Sequence, residues 1–343
     1  MKRLESIHIM RGIAATMVMV HHFTYANPKV AALFPAFTGL FRYSSLGVWM
    51  FFVISGFVIP YAMYSINYRI SDDAWPFLLR RIVRLVGLHR LGIRGLRAYF
   101  RRDANARLWR TAGALAQRFL LQFLYLCQWF DVPWLIDPAW SLAIEFQFYL
   151  FMLIAAPLLL SRSMPVKLSF FAATLAMSLL LSDKRALFHY LPCFAIGFAV
   201  FLFYVKRIGF PVLLALCLVC SALTALESGI PIAVAAAISA VLIFIPIHRP
   251  VALFSFLGTI SYSLYLVHTL IGVRIVNLAM RTSSQWIYLA GLAAAIIASL
   301  SAAIALWYFV ERPSRLQARI IKSRPALVAA PSTVRLDEVH HPS

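Results

Sequence analysis

Residues 46–66 read LGVWMFFVISGFVIPYAMYSI, without one charged side chain. A helix rises about 1.5 Å per residue, so this run covers about 31 Å, the thickness of the hydrocarbon layer of a bilayer. An apolar stretch that long predicts a membrane-spanning helix. Working outward from it, similar runs lie at roughly 7–26, 112–130, 139–160, 167–181, 186–204, 208–226, 230–247, 251–273 and 286–310. The expectation is an all-α, polytopic membrane bundle of about ten transmembrane helices. Composition agrees: of 343 residues, 62% are apolar and 13% charged, with a mean hydropathy of +0.82. A soluble domain is about half apolar and about a quarter charged. A soluble globular protein, a disordered chain and a disulfide scaffold are all excluded.

The net charge is +20. In a soluble protein that would suggest nucleic acid. In a membrane protein it is first a matter of topology, because cytoplasmic loops hold Lys and Arg. Lys2, Arg3, most of the arginines of 67–111, Arg162, Lys167, Lys206, Arg207, Arg249, Arg312, Arg315, Arg319, Lys322 and Arg324 fall on one side of the ten-span path. That side is therefore expected to be cytoplasmic, with both termini on it and no nucleic-acid partner. Residues 1–324 read as one membrane domain, with a basic cytoplasmic segment at 67–111 and a mobile tail at 325–343. The first run carries Arg11, His21 and His22 and no small-residue cleavage site, unlike a removable signal. The four cysteines sit in apolar runs without a CxxC, so no metal or disulfide is expected.

Ionisable groups in a bilayer are costly and mark functional sites by default. Arg11 and His22 lie eleven residues apart, which returns to the same helix face about 16 Å along the axis. Histidine is suited to general-base chemistry near neutral pH. A snorkelling arginine and an interfacial histidine would give the same spacing. Arg81 and Arg84 are neighbours on a helix and suit a phosphate, or else anchor the chain at the cytoplasmic surface. Ser141, Glu145 and Tyr149 follow at intervals of four along one face, and Glu145 has no cation near it in sequence. Ser261, Tyr265 and His268 form a polar stripe in an apolar helix, of the kind that hydrogen-bonds between helices. Glu311 and Arg312 close the last run, where an ion pair is expected.

Six segments in order resemble the acyltransferase 3 family of integral membrane acyltransferases. They are MRGIAATMVMVHHF (10–23), LGVWMFFVISGFVI (46–59), FLLRRIVRL (77–85), PAWSLAIEFQFYL (138–150), ISYSLYLVHTLI (260–271) and WYFVERPSRL (307–316). The resemblance implies transfer of an acyl group, usually acetyl, from cytoplasmic acyl-CoA to a hydroxyl of a cell-envelope or secreted glycan, including lipopolysaccharide and exopolysaccharide. It implies a multi-pass protein of the bacterial inner membrane, with membrane lipid and a glycan or lipid-linked saccharide as partners. Acyl-CoA would be a co-substrate, with no permanently bound cofactor. Carried over by motif, His22 is the catalytic histidine and Arg11 its essential partner. Arg81 and Arg84 contact the CoA phosphates. Glu145 would orient His22 or hold sugar hydroxyls, with Ser141, Tyr149, Tyr265 and His268 as substrate-binding groups.

The segment after Arg84 departs from the family. Where the family continues with Pro-x-Tyr-Trp and an apolar helix, residues 80–118 hold eleven arginines. At about 2.5–3.5 kcal/mol for each central Arg, 86–110 is not a span. A basic surface segment gripping anionic lipid, an additional CoA- or partner-binding element, and an altered stretch leaving an inactive relative all fit. A transporter or flippase of a lipid-linked glycan or acyl group is the rival from another class, since intramembrane Arg, His and Glu suit it too. The absence of an internal repeat tells against it.

Overall fold

The computed structural model describes residues 5–83, 117, 120–122, 124–134, 136–161, 163–247, 251–282 and 284–320. Among them the chain is helical, with no strand. Most of the 67–111 segment, Arg84 with it, and the tail from 325 lie outside the described residues.

Helix α1 spans Glu5–Phe23, and two short helices, α2 (Pro28–Leu33) and α3 (Pro35–Gly39), follow it. Helix α4 is Gly47–Ser65, and α5 covers 70–83. Next come α6 (Ala139–Leu159), α7 (Met164–Leu180), α8 (Leu187–Tyr204), α9 (Phe210–Ser228) and α10 (Ile230–Phe244). The last long helices are α11 (Ala252–Ala279) and α12 (Gln285–Leu306), with α13 (Arg312–Ile320) after them. Six stretches, containing α4, α6, α8, α9, α11 and α12, are long and apolar enough to cross a membrane, and α7 and α10 are shorter apolar helices. Helix α1 is less apolar because it carries Arg11, His21 and His22.

Two expectations change. The run at 112–130 lies partly outside the described residues, and its described part does not stay helical: Tyr125 has φ 58°, and Cys127–Trp129 is a single 3-10 turn. Pro133 pushes the residue before it into an extended conformation and so favours a loop here. At the other end of the chain, α11 continues six residues past 273. Arg274 and Asn277 read as loop because they are polar, yet Asn277 Oδ1 accepts from Asn27 Nδ2 at 2.8 Å, which gives the last turn a partner.

Apolar driving force between helices is weak in lipid, so close backbone approach through small residues decides the crossings. Gly12 and Gly258 form one such crossing. A Cβ on Gly12 would stand 2.6 Å from Gly258 N and 2.9 Å from Leu257 C, and one on Gly258 would overlap the His8 carbonyl oxygen. Helices α1 and α11 run parallel from there: His8 meets Ser255, His22 meets His268, and Asn27 meets Asn277. Gly56 and Gly197 form the second crossing, where a Cβ on either would overlap a carbonyl oxygen of the other helix. Helix α4 is parallel to α8, with Phe52 against Phe194 and Tyr61 against Tyr204. It is also parallel to α6, with Phe52 against Trp140 and Ser55 against Glu145. Two apolar cores result, one joining α4, α6 and α8 and one joining α1, α11 and α12.

Candidate active site

The parallel pair α1 and α11 builds the first half of the site. His22 and His268 each stand ten residues beyond the glycine of the crossing, so both rise to the same height. Their rings lie 5.0 Å apart between centroids, and His268 Nε2 is 3.3 Å from His22 Nδ1. His22 Nδ1 is also 2.8 Å from Val18 O, and His268 Nδ1 is 3.0 Å from Leu264 O. A carbonyl oxygen only accepts, so in each neutral ring the proton belongs on Nδ1, an assignment made from the bonding network. His268 Nε2 then accepts from the same His22 Nδ1–H that points at Val18 O. The lone pair of His22 is left on Nε2, which bonds to no described residue. That nitrogen is free to take a proton from a bound group.

Next to His268 on α11, the Tyr265 hydroxyl is 2.6 Å from Ser141 Oγ of α6 and 3.3 Å from Pro138 O. All three side chains, Ser141, Tyr265 and His268, are buried. The stripe read from the sequence therefore divides. Tyr265 and His268 pin α11 to α6 and α1, whereas Ser261 Oγ donates to Gly258 O within its own helix.

The second half lies nearer the start of α1. Glu145 Oε1 accepts from Ser55 Oγ at 3.0 Å and from the Tyr149 hydroxyl one turn on. The Arg81 guanidinium stands 4.9 Å from the centre of the Tyr149 ring and 5.1 Å from that of Phe77. Helix α5 is set for this by Asp73, whose Oδ2 accepts from Arg69 N at 2.8 Å, and by the Tyr68 hydroxyl donating to Leu153 O at 3.0 Å. Glu311 is buried and accepts from Ser263 Oγ at 2.6 Å while pairing with Arg315. Its expected neighbour Arg312 instead lies over the rings of Trp307 and Tyr308. Glu311 ends a π-helical turn, Trp307–Glu311, a departure from α geometry that often accompanies functional sites. Arg11 lies in the field of Glu311, Glu145 and Arg315 together, so this half holds mixed charge shared by four helices.

The structure thus brings Glu145, Tyr149, Arg81 and Arg11 into one polar group and His22, His268, Tyr265 and Ser141 into another. Arg11 and His22 remain about three turns apart on one continuous helix and do not act on a single atom. Glu145 does not touch His22, whose Nδ1 bonds instead to Val18 O and His268 Nε2. Sequence reasoning missed Ser55, Ser263 and Arg315, and the equal ten-residue offsets from Gly12 and Gly258 were the signal that could have paired the two histidines. Among the described residues no cluster of His, Cys, Asp or Glu is arranged to hold a metal ion.

A family model described as an acyltransferase domain, Acyl_transf_3, matches residues 4–308. Searches of curated proteins and of solved structures give no significant match.

Proposed function

Because the chain belongs to this acyltransferase family, we propose that it is a membrane O-acyltransferase moving an acyl group, usually acetyl, from acyl-CoA to a hydroxyl of a cell-envelope or secreted glycan. The observation that carries the chemical part is the unoccupied lone pair of His22 Nε2, held by the bonds of Nδ1 to Val18 O and His268 Nε2. In this reading His22 is the base. Nε2 takes the proton of the acceptor hydroxyl as its oxygen attacks the thioester carbonyl. The tetrahedral intermediate then expels the CoA sulfur, and the imidazolium returns the proton to it. His268 accepts from Nδ1–H throughout and keeps the ring from turning. Removing such a base typically costs about 10²–10⁴-fold in rate.

The acyl donor belongs to the other half. Arg81, with Arg84 three residues on, suits the CoA phosphates, and Glu145 and Tyr149 hold Arg81 in place from α6. Arg11 acts here, balancing Glu145 and Glu311, about 16 Å from the base. A site drawn out along α1 in this way suits a donor arriving from the cytoplasm and an acceptor arriving from the other face. The parallel runs of α4 and α6, and of α1 and α11, are the relative directions that a path with both termini on one side requires, and the placing of Lys and Arg makes that side cytoplasmic in this reading. Residues 1–324 form the membrane domain in this reading, and the bacterial inner membrane is its location.

Membranes holding the protein, supplied with radiolabelled acetyl-CoA, should pass label to the glycan fraction, and His22→Ala should abolish this while folding normally. No label from well-inserted protein across several acceptor strains would overturn the proposal and favour a transporter or an inactive relative.

A further inference from the structure

The first turns of α4, α6 and α8 meet near the end of the bundle where α1 finishes, and they hold two indoles that the transfer chemistry does not use. Trp49 is the third residue of α4 and Trp140 the second of α6. Both rings pack against Tyr190 of α8, with centroids 5.4 and 5.9 Å away, and Phe52 stands edge-on to each. Tyr190 is buried and fixed, its hydroxyl donating to Lys184 O at 3.1 Å. The indoles are therefore set in place before anything binds. They are also tied to the histidines. Ser141, beside Trp140 on α6, shares a 2.6 Å hydrogen bond with Tyr265, just before His268 on α11. Gly47, two residues before Trp49, lies against Ala14 and Val18 of α1, one turn before His22.

Two features separate these rings from tryptophans that anchor helices at a membrane surface. Anchors project from the bundle, as Trp75 (65% exposed) and Trp286 (79%) do. Trp49 and Trp140 are half-buried against the core of α4, α6 and α8. The second feature is the N–H, a donor that usually finds a partner when its ring is covered. Neither indole N–H bonds to a described residue, and neither is closed off from the outside. A fixed, half-covered aromatic ring with a free donor suits a sugar. The C–H face of a pyranose stacks on the ring and a hydroxyl accepts from the N–H. We propose that Trp49 and Trp140 form the acceptor subsite, holding a pyranose of the glycan so that a hydroxyl further along the chain reaches His22. Both are positioning residues, since neither touches the reacting atoms. Naming the bound sugar as the acceptor rests on the acyl-transfer reading; the binding of a sugar does not.

The test uses the purified full chain in an uncharged detergent with acetyl-CoA. Its acceptors are glycerol, which has hydroxyls but no ring, and maltotriose, chitotriose and galactotriose. Trp140→Leu should raise the KM for a trisaccharide about tenfold more than it raises that for glycerol, the combined worth of a stacked ring and one hydrogen bond. Trp140→Phe fills most of the same volume and keeps the stacking but not the donor, so its KM should fall between. Trp49→Leu and Trp49→Phe should behave alike. Equal losses with glycerol and trisaccharide would make the indoles packing alone and overturn the subsite, as would an unchanged trisaccharide KM in the four variants. Quenching of tryptophan fluorescence by trisaccharide, read without acetyl-CoA, separates the two readings. Quenching that both leucine variants weaken, in a protein that moves no acetyl, would support the subsite and overturn the transferase. Acetyl transfer to glycerol, with no trisaccharide bound or acetylated, would overturn the subsite and leave the transferase standing.

Discussion

Gly12→Ala sets two known effects against each other at one position. Alanine is favoured over glycine in a helix interior by about 1 kcal/mol, so by propensity alone the change stabilises. The crossing opposes it. The new Cβ would stand 2.6 Å from Gly258 N, 2.9 Å from Leu257 C and 3.0 Å from Leu257 Cβ. Two of those three atoms are backbone and cannot rotate away. Relief to an ordinary contact of about 3.5 Å requires α1 and α11 to part by nearly 1 Å. Overpacking of this kind typically costs about 1–3 kcal/mol. The net expectation is destabilisation by about 1 kcal/mol, with the midpoint falling by a few degrees. The displacement also reaches the histidines ten residues on, where a 3.3 Å contact stretched toward 4 Å is no longer a hydrogen bond. Acyl transfer should fall more than stability does. The unfolding assay is built into the chain, because Cys127, Cys193 and Cys220 are buried free thiols that a thiol-reactive fluorophore reaches only on opening. Gly39→Ala is the control, since a Cβ there meets nothing within 4 Å. A midpoint for Gly12→Ala at or above that of the native protein would refute the crossing argument.

Four further outcomes are expected. His268→Leu removes the acceptor for His22 Nδ1–H and should slow transfer by about fivefold, the worth of one hydrogen bond of about 1 kcal/mol, with His268→Gln recovering part of it in single-turnover assays. Tyr265→Phe unlinks α11 from Ser141 and Pro138 and should cost about 1 kcal/mol in thermal unfolding, within the range for interhelical bonds in membranes. Glu311→Gln keeps the shape but leaves Arg11 and Arg315 facing each other, so a loss of about 3 kcal/mol should appear in the same melt; a smaller loss with Arg315→Gln added would locate the cause in that repulsion. Arg81→Lys keeps the charge but loses the flat guanidinium over Tyr149, and should raise the KM for acyl-CoA with little change in kcat.

The spans were legible because a bilayer imposes a length, and α4, α6, α8 and α9 begin and end within two residues of the boundaries read from apolar text. Where helix ends are set by partners, the reading fell short. Asn277 belongs to α11 because Asn27 of a distant segment bonds it, and no local pattern carries that information. The site divides in the same way. Arg11, His22 and Glu145 were conspicuous because charge in an apolar run is rare. Ser55 and Ser263 were not, since a serine is cheap in any helix, and each matters only through the carboxylate across from it. Glu311 was read as a local pair with Arg312, whereas the π-helical turn and the one-turn reach of Arg315 decide its partner.

The pairing of α1 with α11 has a consequence for biogenesis. The two histidines are separated by 246 residues of chain. At about 5–20 residues per second, roughly 10–50 s of synthesis pass between the emergence of α1 and that of the helix that partners it. Through that interval Arg11, His8 and His22 wait in or beside the translocon without the groups that later satisfy them. A ribosome stalled before residue 252 would release a chain whose first helix has no mate, and such fragments should be natural substrates for membrane quality-control proteases.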